Sequence, residues 1–314
     1  MTRAGGPAPA VSTGAEIAVA LDDLVAATPP LLVIVDFDGT LAVGSRDPAV
    51  ARIEPPAQRA LRKLGGIATE RPKRLHVAVL TGRIVADVAA RVRVGGVEYL
   101  GDHGLEHGVL ARGARAERLV PMTDPAYDVH RDAAEVIASG VAAELGDPGW
   151  LFVERKGPSV AFHVRQADDV AAARAAVVAA IETVERRERL VHRLAHYRGR
   201  TVVDLRPEDA GGKREAVERL IARHRPGGVV ALGDEMSDID AFEAVIAART
   251  GARGVGGPGR AGHPVGVGVT VAVHGASRPA PSELLEVADL RIAGAHEVGR
   301  LLAALARRLE LAGA

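Results

Sequence analysis

The sequence predicts an α/β fold: a mostly parallel, doubly wound sheet carrying an α+β insert. Three observations predict it. Short apolar runs alternate with helical patterns in the first and last thirds of the chain. Several of those runs end on polar residues, as in "IVDFDGTLAV" (34–43), "LHVAVLTGR" (75–83) and "GGVVALGDEMSD" (227–238). In open parallel sheets, ligands collect beyond the carboxyl ends of the strands, where such residues fall. From about 108 to 205 the regular alternation stops, and strands and helices follow one another as an α+β insert would.

Taken in order, residues 1–13 are rich in Gly, Pro and Ala and are expected to be disordered. Residues 14–27 read as an amphipathic helix, closed by Pro29 and Pro30 before a strand over Leu31–Val35. "LHVAVLTGR" is a strand leading to a helix at 83–93, and "VEYLGDHG" is a strand ending in a polar loop. The insert reads as a helix (129–145), a hairpin turning at Gly157-Pro158, a long helix (168–187), and strands at "RLVHRL" and "TVVDLRP". A helix then opens at Lys213, and a strand runs through "GGVVALG" into another helix. In "RTGARGVGGPGRAGHPVGVG" (249–268), Gly254, Gly256 and Gly259 match G-x-G-x-x-G formally. The segment comes after a helix pattern and Pro258 interrupts it, so a flexible surface loop is expected instead. This places the core in 14–107 and 206–314 and the insert in 108–205.

Composition excludes several classes. Forty basic residues balance forty acidic ones, so neither a nucleic-acid nor a membrane partner is indicated. With no cysteine, disulfides, thiolate nucleophiles and Cys-type zinc sites are excluded. The first residues lack the unbroken apolar core of a signal peptide, and the alanine-rich stretch at 169–187 is broken by Arg174 and Glu182. A soluble cytoplasmic protein is the expectation, with a monomer as the default oligomeric state.

Asp36 and Asp38 end the first strand together. The first carboxylate can serve as a nucleophile or metal ligand, and the second can reach the same ligand as an acid or base. Gly39 lets the backbone approach an anion, and Thr40 can cap the next turn of chain. Ordinary Asp-Gly-Thr turn chemistry explains the motif equally well by itself. Three further sites weigh against the turn reading. Thr81 and Gly82 end a second strand, Lys213 opens a helix, and Asp234, Glu235 and Asp238 come after a fourth. A nucleophile, a hydroxyl, a cation and an acidic cluster suited to a hard cation such as Mg²⁺ are what phosphoryl transfer needs.

The order DFDGT, TGR, Lys213 and GDEMSD resembles the four motifs of the haloacid dehalogenase superfamily of phosphohydrolases. Within it, "GDHGLEH" (101–107), "ERKGPSVAFHVR" (154–165), "LRP…GGK" and "GDEMSDIDAF" (233–242) are similar to trehalose-6-phosphate phosphatases. The resemblance covers most of 30–245 and implies a Rossmannoid core with a C2-type cap, Mg²⁺ as cofactor and a small-molecule sugar phosphate as substrate. It implies that Asp36 is the nucleophile and Asp38 the acid and base. Thr81, Gly82 and Lys213 would bind the phosphoryl group. Asp36, Asp38 and Asp234 would hold the metal, with Asp238 supporting it. His103, Glu154, Lys156, His163, Arg165 and Asp204 would contact the sugar.

Asp102, Asp204, Glu235 and Ile239 depart from the family pattern, which has Asn, Glu, Asp and Glu there. Asp204 lies in the sugar-recognition region, so a glucosylglycerate phosphate or an aminocyclitol disaccharide phosphate is an alternative substrate. A non-catalytic sugar-phosphate sensor is a second alternative, although it should have lost Asp36, Asp38 or Asp234. A phosphosugar mutase is a third. Mutases carry a helical cap soon after the first motif, whereas only about forty residues separate Thr40 from Thr81.

Overall fold

All five residues of Leu31–Val35 are buried, which requires a strand covered on both faces. The computed structural model describes residues 10–44, 50–190, 193–199, 201–251, 263–276 and 279–313. They form two units. Residues 10–44, 51–121 and 212–313 make the first, and Met122–Gly211 is the body of the second.

Numbered in chain order, the first unit holds β1 (Leu31–Val35), β2 (Leu75–Leu80), β3 (Val97–Gly101), β4 (Glu106–Leu110), β10 (Gly228–Gly233), β11 (Val267–Val273) and β12 (Leu290–Ile292). Their order is β12-β11-β10-β1-β2-β3-β4. All neighbours are parallel except β3 and β4, which pair antiparallel. The strand alternation divides the core in two. Leu31, Val33 and Val35 face α1 (Gly14–Ala26), α2 (Pro55–Glu70), α3 (Val85–Val92) and α9 (Gly294–Leu311). Leu32 and Ile34 face α6 (Lys213–His224), α7 (Met236–Thr250) and α8 (Ser282–Val287). Burial on both faces explains why these strands read as unbroken apolar runs.

In the second unit, a two-residue strand β5 (Met122–Thr123) is followed by α4 (Arg131–Glu144), β6 (Phe152–Arg155), β7 (Val160–His163), α5 (Val170–Glu188), β8 (Ala195–Arg198) and β9 (Val202–Arg206). The antiparallel sheet runs β6-β7-β9-β8. Ile137 and Val141 of α4 and Val177 and Ile181 of α5 pack against Val160, Phe162, Val203 and Leu205, closing one face of this sheet.

Several expectations need correction. Residues 108–121 belong to the first unit, because β4 turns back and pairs with β3, Leu100 opposite His107. The second unit runs on to Gly211 rather than ending at 205, Arg206 donating to the Gly211 carbonyl at 3.3 Å. The strand expected at "RLVHRL" lies further on. Arg189 ends α5 with φ 57°, Leu194 is buried in the core, and the strand is Ala195–Arg198. Ser12 and Thr13 are ordered. Ser12 bonds Arg291, and Thr13 caps α1 reciprocally with Glu16. The disorder expected over 1–9 and most of the glycine-rich loop, 252–262, lie outside the described residues. Among the described residues, no helix is long and apolar enough to cross a membrane.

Candidate active site

Parallel register assembles the first cluster. Val35 lies opposite Leu232 on one side and Val79 on the other, so residues just beyond β1, β10 and β2 emerge at one sheet edge. The Asp36 N–H extends the ladder by donating to the Leu232 carbonyl at 3.0 Å. Asp36, Asp234 and Asp238 are each 2–3% exposed, and one carboxylate oxygen from each lies within 4.8 Å of the others.

Lys213, the first residue of α6 and 1% exposed, reaches into this group. Its Nζ donates to Asp36 Oδ1 and to Asp238 Oδ1, both at 2.8 Å. A cation at a helix N-terminus opposes the macrodipole, and these carboxylates outweigh that cost. Burial alone would pull the ammonium down, but the charges of Asp238, Asp36 and Glu235 hold it well above its ordinary range. Burial pushes the Asp36 carboxyl well up despite Lys213, and Asp238 moves the same way for the same first reason. Asp238 Oδ2 accepts from the N–H groups of Asp234 and Glu235 at 3.0 Å, so this residue ties the entry of α7 to the lysine.

The donor set fits a divalent cation. Three buried carboxylates face one buried ammonium, and the buried Asp36 Oδ2 has no hydrogen-bond partner among the described residues. Gly39 is required beside them. Its φ is +85°, and a Cβ there would lie 2.0 Å from Asp234 Oδ2. Thr40 Oγ1 lies 3.4 Å from Asp234 Oδ1.

Thr81, buried after β2, accepts the Arg83 N–H at 3.3 Å. Gly82 lies under the His103 ring, where a Cβ would be 2.8 Å from Nε2. The segment 101–106 cradles this loop. The Asp102 N–H donates to the Arg83 carbonyl at 2.8 Å, the His103 N–H donates to the Thr81 carbonyl at 2.9 Å, and Glu106 Oε2 accepts the Val85 N–H at 2.5 Å. Asp102 and His103 adopt φ 48° and 58° to do so, a conformation uncommon for non-glycine residues. Asp38 stands apart from the buried cluster, held by Arg83 Nε at 2.6 Å and Nη2 at 2.8 Å.

The second unit gathers the other expected residues on the sheet face opposite its helices. Glu154, Ala161, Asp204 and Tyr197 occupy one row across the four strands, and Phe152, His163 and Val202 another. Glu154 Oε2 is 2.9 Å from His163 Nε2 and 3.9 Å from Lys156 Nζ, which lies 3.4 Å from Asp204 Oδ1. Arg206 is 3.1 Å from Asp204 and sits over the Tyr197 ring at 3.9 Å. Arg165 reaches Thr201 at 3.4 Å. Of the expected residues, Asp36, Asp234, Asp238 and Lys213 meet in one buried group, Thr81, Gly82 and His103 meet at the loop after β2, Asp38 is held by Arg83, and Glu154, Lys156, His163 and Asp204 meet in the second unit. Sequence reasoning missed Arg83, Glu106, Tyr197 and Arg206. Arg83 and Glu106 lie inside the TGR and GDHGLEH motifs, but nothing in their spacing identifies a partner.

The trehalose-phosphatase family model matches residues 34–255. The trehalose-phosphate phosphatase of Mycobacterium leprae is 36% identical over 238 residues, which cover 71% of this chain and 49% of that protein. Its Mycobacterium tuberculosis counterpart is 34% identical over 236 residues, covering 71% and 53%. The chain spans about half the length of the curated relatives it matches. In fold it is similar to the C-terminal domain of C. albicans trehalose-6-phosphate phosphatase, with a TM-score of 0.69 at 19% identity over 96% of this chain and 99% of that one. A haloacid dehalogenase-like hydrolase from Bacteroides thetaiotaomicron shares the fold with a TM-score of 0.52 at 15% identity, covering 88% and 99%. With the family model matching well over half of the sequence, the chain belongs to the trehalose-phosphatase family.

Proposed function

We propose that this protein hydrolyses trehalose 6-phosphate to trehalose and inorganic phosphate through an aspartyl-phosphate on Asp36. The observation that carries the reading is the buried cluster of Asp36, Lys213, Asp234 and Asp238 at the carboxyl edge of a parallel sheet in a chain of this family. An Asp36 oxygen attacks phosphorus as the bond to the sugar oxygen breaks. Asp38 donates a proton to that oxygen, then accepts one from the water that cleaves the aspartyl-phosphate. Thr81, Gly82 and Lys213 bind the phosphoryl oxygens and offset their charge. Asp36, the Asp38 carbonyl and Asp234 would hold Mg²⁺, with Asp238 fixing their surroundings. Bound there, the ion would neutralise charge between nucleophile and phosphate.

Glu154, Lys156 and Asp204 present acceptors and a donor on one face, a chemistry that suits sugar hydroxyls. His163 and Arg165 extend that surface. Because Asp36, Asp38 and Asp234 are all retained, hydrolysis is favoured over a non-catalytic sensor.

The test is phosphate release from a panel of sugar phosphates with Mg²⁺ present. Trehalose 6-phosphate should give the highest kcat/KM, and Asp36→Asn should abolish turnover while the circular dichroism spectrum stays unchanged. Preference for another sugar phosphate would overturn the substrate, and full activity of Asp36→Asn would overturn the nucleophile.

A further inference from the structure

We propose that Arg83 is the positioning residue for Asp38 and that α3 is built to hold it there. This rests on the reading of Asp38 as the proton donor to the leaving oxygen. Asp38 comes after the strand end in a turn and is partly exposed, with 29% side-chain exposure. A carboxylate so placed samples several rotamers unless something fixes it. Arg83 does so with two hydrogen bonds, Nε to Oδ2 at 2.6 Å and Nη2 to Oδ1 at 2.8 Å. That forked geometry sets both the place and the plane of the carboxylate, which a point charge cannot do.

The arginine is itself fixed. Its side chain is 12% exposed, its guanidinium lies 5.4 Å from the Phe37 ring centroid, and Nη1 donates to Asp87 Oδ2 at 2.8 Å. Asp87 also accepts from Arg91 Nε at 2.8 Å, and Arg91 Nη1 donates to the Ala51 carbonyl at 2.8 Å. Arg83, Asp87 and Arg91 are spaced four apart, so they line one face of α3 and its entry. The alternating chain Asp38, Arg83, Asp87, Arg91 runs from the turn after β1 to the backbone at Ala51. The segment 101–106 holds the backbone from which Arg83 projects, through the Asp102, His103 and Glu106 bonds.

The sugar oxygen of an alkyl phosphate ester departs as a strongly basic alkoxide and needs the positioned acid, whereas p-nitrophenolate needs little protonation. The experiment therefore compares Arg83→Ala, Arg83→Lys and Asp87→Asn with the wild type on trehalose 6-phosphate and p-nitrophenyl phosphate. Single-turnover release of the leaving group isolates the first half-reaction.

For Arg83→Ala the expected result is a roughly hundredfold fall in that rate on the sugar phosphate, with KM within about threefold, and a fall of less than about fivefold on the aryl ester. Arg83→Lys restores part of the loss, since one donor remains. Asp87→Asn, which leaves the Asp38 fork in place, gives a smaller loss with the same contrast. Equal losses on the two substrates, a lysine variant no better than alanine, or no loss at all would each overturn the proposal. If the wild type prefers another alkyl phosphate, the substrate assignment falls. The alkyl–aryl contrast, measured on that ester, still decides Arg83.

Discussion

A lysine 1% exposed is tolerable only where its charge is matched, and Lys213 is matched more than once. Asp36 and Asp238 take its hydrogen bonds, leaving Asp234 as further negative charge in the same buried space. That imbalance predicts a metal effect visible without any substrate. A ligand that binds only the folded state stabilises it by RT ln(1 + [L]/Kd), about 2.7 kcal/mol at a hundredfold excess over Kd. Mg²⁺ should therefore raise the melting temperature by a few degrees, chelator should reverse the rise, and Asp234→Asn should abolish it. An unchanged melting curve for the wild type in excess Mg²⁺ would remove the metal from the cluster. Asp36 and Asp234 were legible because apolar runs that end on carboxylates mark strand ends, and Lys213 because it opens a helix within the same order of motifs. Arg83 was not, since the sequence cannot show that residues 38 and 83 meet across adjacent turns.

Elements carry a separate prediction at the opposite end of the first unit's sheet. His76 on β2 stacks on His224 at the end of α6, ring centroids 3.8 Å apart, with Glu98 and Arg223 as charged neighbours. Burial first, and then His224, lower the His76 pKa from 6.5 to about 4. Between those values the unfolded chain binds more protons than the folded one, so stability rises with pH and is lost on acidification from about 6.5 towards 4. His76→Gln keeps the size but cannot be charged. Chemical denaturation at pH 7 and pH 5 should show a smaller drop for the variant, and equal drops would exclude His76 as the source. The same scale shows why some elements were misplaced. "RLVHRL" has strand-like composition, yet Arg189 stops α5 in a left-handed conformation and the strand begins six residues later. Local composition was outweighed there by how the helix ends. "EHGVL" falls partly within the range expected for the insert, but its pairing with β3 is non-local, and periodicity does not report partners.

For the whole molecule, the proposed function assigns the two units separable tasks, phosphoryl chemistry to the first and discrimination among sugars to the second. The division was legible as a break in βα alternation, although its limits were misplaced by 14 residues at one end and 6 at the other, 108 against 122 and 205 against 211. The separation of tasks is measurable. Lys156 has a 3% exposed side chain beside Glu154 and Asp204, and Glu154 also meets His163. A site that pairs with sugar hydroxyls loses about 1.5 to 3 kcal/mol for each charged hydrogen bond removed. Glu154→Ala and Lys156→Ala should then lower kcat/KM for trehalose 6-phosphate by roughly tenfold to a hundredfold or more. Turnover of p-nitrophenyl phosphate should change by less than about threefold, because it carries no sugar to recognise. Parallel losses on both substrates would mean that these side chains support the fold of the second unit. In that case a matching fall in melting temperature would accompany the kinetic change, and the two explanations separate in one pair of measurements.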